Sequence, residues 1–386
     1  MIADMSSLRA RLFLSFIPPS PWLVNSWIGS YILAGFTATI PAKWRVGIGM
    51  WAAITPFAGL FVIVTLLVAQ RRAKRGGALA KYSTPFQSMG WKLIPHLFWQ
   101  LDIIGALLTV AFIALILMPL TLARGVTDSW KEAKTIAPIV IGICLVPVWV
   151  FWERTCAHPL VPFHLLRDRG VWAGLGIAVL LNAAWYVQGA YVYPMLIVAF
   201  NRTVLQAGYI TNIFTFCSTF TGMCLGLVVV RVQRLKPFIV VGSILYTLSF
   251  GLLIRFRGGK HGSAVAGIIA AEVLLGIGAG FFSYPAITSV QARTKHIHVA
   301  VVTGLYFAVY NLGGAFGNVI SGAVWTQRMP GELASRLVNQ TLAQEVYDSP
   351  YTAILPYPWG TPEREAMVES YMAVQYILGS EYNMPR

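Results

Sequence analysis

The sequence predicts an all-α membrane protein, a partial helix bundle with about nine transmembrane helices. Two observations predict it. Hydrophobic residues fill 57% of the 386 positions and charged residues only 11%, with a mean hydropathy of +0.66. A soluble domain needs about 25% charged residues to clothe its surface. The apolar residues also gather in runs of about 18 or more, enough to cross a hydrocarbon core about 30 Å thick as helix. These runs lack the apolar/polar alternation of a membrane barrel.

In chain order the runs are 12–37, 44–69, 102–123, 135–153, 171–200, 207–230, 237–255, 263–290 and 298–325. The first is interrupted by Pro18, Pro19 and Pro21. Arg9 and Arg11 precede it, but no cleavage site follows, so no secretory signal peptide is expected. Residues 1–69 hold two helices, 70–101 a basic loop, 102–153 two central helices, 154–170 a second loop and 171–325 five helices. The remainder, 326–386, is polar and proline-rich, contains no run long enough to span and is expected as a loop or tail.

The net charge of +15 sits in short clusters between apolar runs, as in loops held at the cytoplasmic face. A nucleic-acid site would need a contiguous basic surface, so no nucleic-acid partner is expected. Arg71, Arg72, Lys74, Arg75, Lys81 and Lys92 place loop 70–101 in the cytoplasm. Nine crossings then put sixteen basic residues inside, against nine outside the tail. Two glycosylation sequons, at Asn201 and Asn339, both fall on the outer face, and the tail with them. The expected location is a plasma or endosomal membrane, with the lipid bilayer as partner and the monomer as the unit.

Cys144, Cys217 and Cys224 lie in apolar runs and Cys156 in a loop, so no disulfide framework is expected. Enzymatic constellations are missing: no phosphate-cradling glycine loop, no HExxH, no paired CxxC. His158 and His164, like His296 and His298, lack acidic or thiolate company at metal-ligand spacing, so neither metal nor cofactor is expected.

Glu272 stands well inside an apolar run, where a carboxylate costs about 2.5–3.5 kcal/mol on insertion scales. It is expected to face the bundle interior, either binding a proton or contacting substrate, or to bond a neighbouring helix. Trp185, Gln188 and Tyr191 recur at i, i+3 and i+6, with Tyr186 and Tyr193 seven apart. Flat rings with an amide between them suit a large organic ligand; an interfacial belt or ordinary packing would use the same residues. Asn311 and Asn318 give the last run a polar stripe, and Gly313 and Gly317 a GxxxG spacing for close helix approach.

Gly226, Arg231 and Arg234 resemble the loop motif of the major facilitator superfamily, with Val230 and Gln233 replacing its usual aspartate and second glycine. Four further stretches occur in order: Trp44-Arg45-Val46-Gly47-Ile48-Gly49-Met50, Leu117-Met118-Pro119, Trp152-Glu153 with Pro159-Leu160-Val161-Pro162-Phe163, and Pro358-Trp359-Gly360-Thr361-Pro362-Glu363-Arg364. Together they resemble the fungal siderophore–iron transporters, a fourteen-helix branch of that superfamily. The resemblance implies import of ferric siderophores by proton symport, with iron held by the ligand's own oxygens. It implies that the nine runs match helices 5 to 13, so that the chain is truncated at both ends. Residues 1–69 would then close the N-terminal half, 102–153 would be the central pair, and 171–325 would belong to the C-terminal half. Trp185, Tyr186, Gln188, Tyr191 and Asn311 would line the cavity, Glu272 would carry the proton, and Tyr351, Tyr357 and Trp359 would form an outer contact or gate. A drug/proton antiporter of the same superfamily and a non-transporting membrane fragment are the alternative readings.

Overall fold

The computed structural model describes residues 8–37, 44–77, 90–122, 130–161, 163, 165–232, 234–257 and 264–379. Lys81, Pro162, His164 and Gln233 of the expectations above lie outside the described residues. Every regular element among those described is helical. Among the described residues, eight helices are long and apolar enough to cross a membrane, and the chain is an integral, multi-pass membrane protein.

The first expected crossing is two helices, α1 (Leu8–Ser15) and α2 (Trp22–Thr37), separated by a turn. Pro18, Pro19 and Pro21 cannot donate helical hydrogen bonds and clash with the preceding turn, so the helix breaks there. That is why the long spans number eight rather than nine. Then come α3 (Trp44–Arg75), a short α4 (Leu93–Gln100), and an apolar hairpin of α5 (Ile103–Leu122) and α6 (Ala133–Thr155).

The fifth expected run also breaks, into α7 (Arg169–Gly189) and α8 (Val192–Val198). Pro194 has no N–H to offer the carbonyl of Ala190, one turn back, and the chain bends between the two. The bundle continues with α9 (Val204–Val232), α10 (Lys236–Arg257), α11 (Ala264–Ala292) and α12 (Val299–Arg336). α11 is central, packing against α7, α9, α10 and α12. α1 and α2 lie along α9, the α5–α6 hairpin joins the bundle through α12, and α3 packs on α2. The apolar side chains of α3 are exposed, as lipid-facing side chains are.

Close approach of α12 to α7 depends on two glycines. A Cβ on Gly313 would overlap the carbonyl of Val179, and one on Gly317 would overlap that of Ala183. The GxxxG spacing thus becomes an actual backbone contact.

The expected tail is more ordered than its polarity suggests. α12 runs eleven residues beyond the expected end at 325, to Arg336. It is followed by α13 (Gln340–Asp348), α14 (Pro350–Ala353) and α15 (Pro362–Gly379). α15 lies across α8, α10 and α12 and buries Met367, Tyr371, Val374 and Leu378 in the main core. These residues recur on one face at helical spacing, while the opposite face is polar. Ser370 Oγ donates to the Glu332 carbonyl (3.1 Å) and Arg364 Nη2 to the Ile197 carbonyl (3.3 Å), tying α15 to α12 and α8.

Gly313→Leu is expected to separate α12 from α7 and to cost about 1–3 kcal/mol through overpacking. Its melting midpoint in detergent should fall, whereas Gly304→Ala, with open space beside it, should leave the midpoint unchanged.

Candidate functional site

The bend between α7 and α8 opens a cavity of about 390 Å³. Trp185, Tyr186, Gln188 and Tyr191 form one wall. Thr211 of α9, Glu272 of α11, and Asn318 and Ser321 of α12 complete it. Four of the five expected substrate contacts therefore meet the expected proton site in one place. The Trp185 ring stacks on Phe214 (centroids 5.5 Å apart) and meets Tyr186 edge-on at 4.7 Å. Tyr191 stacks on Trp325 at 4.0 Å, and Trp325 in turn meets Tyr371 of α15 at 5.3 Å.

Glu272 is 3% exposed and eight residues into α11, about 12 Å along its axis. Its partner is Arg257, the last residue of α10, with Nη2 3.5 Å from Glu272 Oε1. The Arg257 side chain is fully buried. Its Nη1 donates to the Gln188 carbonyl (2.8 Å) and to Gln375 Oε1 (3.5 Å), and its Nη2 to Gln188 Oε1. Gln375 Nε2 donates to the Tyr191 carbonyl at 2.9 Å. A buried charge needs a counter-charge and hydrogen bonds, and α7, α11 and α15 supply them to the two terminal nitrogens of one guanidinium, leaving its Nε without a partner.

Sequence reasoning missed Arg257 and Gln375. It ended the seventh run at 255 and assigned the following basic residues to an outer loop. The available signal was Glu272 itself, since an intramembrane carboxylate calls for a cation at matching depth.

Asn311 lies elsewhere, in an adjoining cavity of about 360 Å³ that shares Trp185 and Tyr186 as a common wall. Its Nδ2 donates to the Phe307 carbonyl one turn back (2.8 Å). A third space of about 500 Å³ between α2 and α9 is lined by Asn25, Ser26, Ser30 and Asn212, and shares Thr211 with the first. Tyr351, Tyr357 and Trp359 do not line the central cavity. Tyr351 meets Tyr193 edge-on (6.4 Å), Tyr357 packs on the main core, and Trp359 lies 5.8 Å from the Arg364 guanidinium. Burial lowers the Arg364 pKa, with Tyr371 opposing the shift. Burial likewise pushes the Tyr371 hydroxyl above its ordinary range, with Tyr351 adding and Arg364 opposing.

Gly226 seats α1 against α9, where a Cβ would come 2.8 Å from Phe13 Cα; Arg231 and Arg234 are exposed at the end of α9 and just beyond it. Asn201 is exposed in the turn after α8, in the left-handed conformation (φ 50°) that Asn tolerates well. Asn339 caps α13, its Oδ1 accepting from the N–H groups of Thr341 (3.0 Å) and Leu342 (3.4 Å).

No family model matches the chain. Curated relatives do, three of them as follows. Siderophore iron transporter 1 of Saccharomyces cerevisiae is 43% identical over 385 residues, covering 97% of this chain and 60% of the relative. Siderophore iron transporter ARN1 of the same yeast is 38% identical over 382 residues, 98% of this chain and 60% of the relative. MFS siderochrome iron transporter C of Aspergillus fumigatus is 34% identical over 376 residues, 96% of this chain and 61% of the relative. The chain is thus similar along nearly its whole length to named siderophore iron transporters, and spans about 60% of the length of the curated relatives it matches.

Arg257→Met is expected to strand the Glu272 carboxylate and to destabilise the bundle by about 3–5 kcal/mol. Pairing it with Glu272→Leu should recover most of that loss in a detergent melt. A double variant no more stable than the single one would show that the ion pair is not what couples the two sites.

Proposed function

From that likeness and from the cavity, we propose that the chain is part of a membrane transporter that imports ferric siderophores by proton symport. The observation that carries this reading is the convergence of aromatic and amide side chains with one buried carboxylate–guanidinium pair. A ferric siderophore keeps its iron in its own oxygen ligands, so the cargo presents an organic surface. Trp185, Tyr186 and Tyr191 offer it flat faces, Gln188 offers directed hydrogen bonds, and Asn311 contacts cargo that extends into the adjoining cavity.

Proton coupling follows from the ion pair. Protonating Glu272 removes the charge that balances Arg257, leaving a fully buried guanidinium without its counter-ion. Such a state is strongly disfavoured, so proton uptake drives either a rearrangement or capture of an acceptor oxygen from the cargo. Arg257 also binds Gln375, so the rearrangement reaches α15 and the aromatic outer segment containing Tyr351, Tyr357 and Trp359. That segment acts as the gate.

Uptake of radiolabelled ferric siderophore by cells relying on the full-length form tests this. Glu272→Gln should reach the membrane and lose the pH dependence of uptake. Trp185→Ala should raise KM more than it lowers the maximal rate. Drug resistance without iron uptake would instead establish the antiporter reading, and no transport of either kind the non-transporting fragment. For sidedness, Asn201→Gln and Asn339→Gln should each remove one endoglycosidase-sensitive mobility shift; a chain without either shift would contradict the outward placement.

A further inference from the structure

Away from the cavity, two carboxylates meet where the α5–α6 hairpin closes. Asp102 stands immediately before α5, in a left-handed conformation (φ 45°), and Glu153 lies in the last turn of α6. Each is 2% exposed. Asp102 Oδ1 is fully used, accepting from the N–H groups of Gly105 (3.0 Å) and Trp152 Nε1 (2.8 Å). Glu153 Oε2 accepts from the Val161 N–H at 3.1 Å, folding the following segment back onto α6. The second oxygens, Asp102 Oδ2 and Glu153 Oε1, accept no well-formed hydrogen bond; the buried Trp149 indole N–H and the Leu160 N–H lie close to Glu153 without completing one.

The two orphan oxygens converge on one point. The position a Gly105 Cβ would occupy is 3.0 Å from Glu153 Oε1 and closer still to Asp102 Oδ2. Only glycine leaves that space open.

The charges around the pair do not neutralise it. α5 has no ionisable residue, and α6 otherwise carries only Lys134 near its far end and Arg154. Arg154 is turned toward the Phe163 ring, 6.0 Å away. His158 follows in the next segment, and α12, which packs along α5, has no charged or histidine residue from Val299 to Gln327. Neither carboxylate forms an ion pair among the described residues. Two ionised carboxylates gathered at one point repel each other, and the hydrogen bonds they accept on their other oxygens compensate their lost hydration only in part.

We propose that Asp102 and Glu153 form a proton-binding site in which one proton, taken from the aqueous phase, is held between Asp102 Oδ2 and Glu153 Oε1. The proton is covalent to one oxygen and hydrogen-bonded to the other, so the pair carries a single negative charge. It thereby clasps the start of α5 to the end of α6. A hard metal cation would need about six oxygen ligands, and this site supplies two carboxylate side chains.

Infrared spectroscopy of the protein in lipid nanodiscs tests the site directly, independently of transport and of the cargo proposed above. At neutral pH a carbonyl stretch from a protonated, buried carboxyl should be present. It should vanish in both Asp102→Asn and Glu153→Gln, persist in Glu272→Gln, and bleach when the unaltered protein is made alkaline. The alkaline bleach, followed in the Glu272→Gln background, decides the question if either clasp variant fails to fold. A spectrum with no such band, or a band insensitive to both substitutions, would overturn the proposal. So would a band that appears only after sodium and calcium are stripped, since a metal cation would then occupy the pair.

Discussion

Burying the Arg257–Glu272 pair is the constraint around which this end of the bundle is organised. A guanidinium has five N–H donors, and lipid satisfies none of them. The carbonyl and side chain of Gln188, the carboxylate of Glu272 and the amide of Gln375 together take up the demand of the two terminal nitrogens. They come from α7, α11 and α15, three elements distant in sequence. The pair therefore ties α7, α10, α11 and α15 together at one point.

The interruptions that shape the cavity have the same origin. Pro194 breaks the fifth span next to Tyr191, whose carbonyl accepts from Gln375 Nε2 as well as from the Met195 N–H of its own helix. Irregular backbone at membrane depth is tolerated only where protein or a water-filled space receives it. The bend is thus both a product of the proline and the place where ligand-sized space appears. The glycines of α12 act in the opposite sense, removing space where α7 must come close.

The bundle was largely legible in the sequence because lipid imposes a simple rule: long apolar runs become helices. Trp185, Tyr186, Gln188, Tyr191 and Glu272 were legible because polar and aromatic groups inside such runs need a destination. What escaped was set by tertiary contact. Arg257 reads as an ordinary flanking cation until Glu272 is seen beside it, and Gln375 lies in a segment whose polarity suggested a loop. Its apolar stripe, Met367, Tyr371, Val374 and Leu378, carried a helical signal that a search for hydrocarbon-length runs passes over. Asn311 shares a helix with the cavity residue Asn318 but, seven residues earlier along α12, it opens into the neighbouring space.

α15 covers the bundle without being a hydrocarbon-spanning segment itself. Its exposed face carries Glu363, Glu365 and Glu369, so lifting it would exchange protein contacts chiefly for water, with little disturbance of acyl chains. Its displacement from the bundle should therefore respond to solutes that alter the cohesion of the surrounding solution and be nearly indifferent to the thickness or fluidity of the lipid.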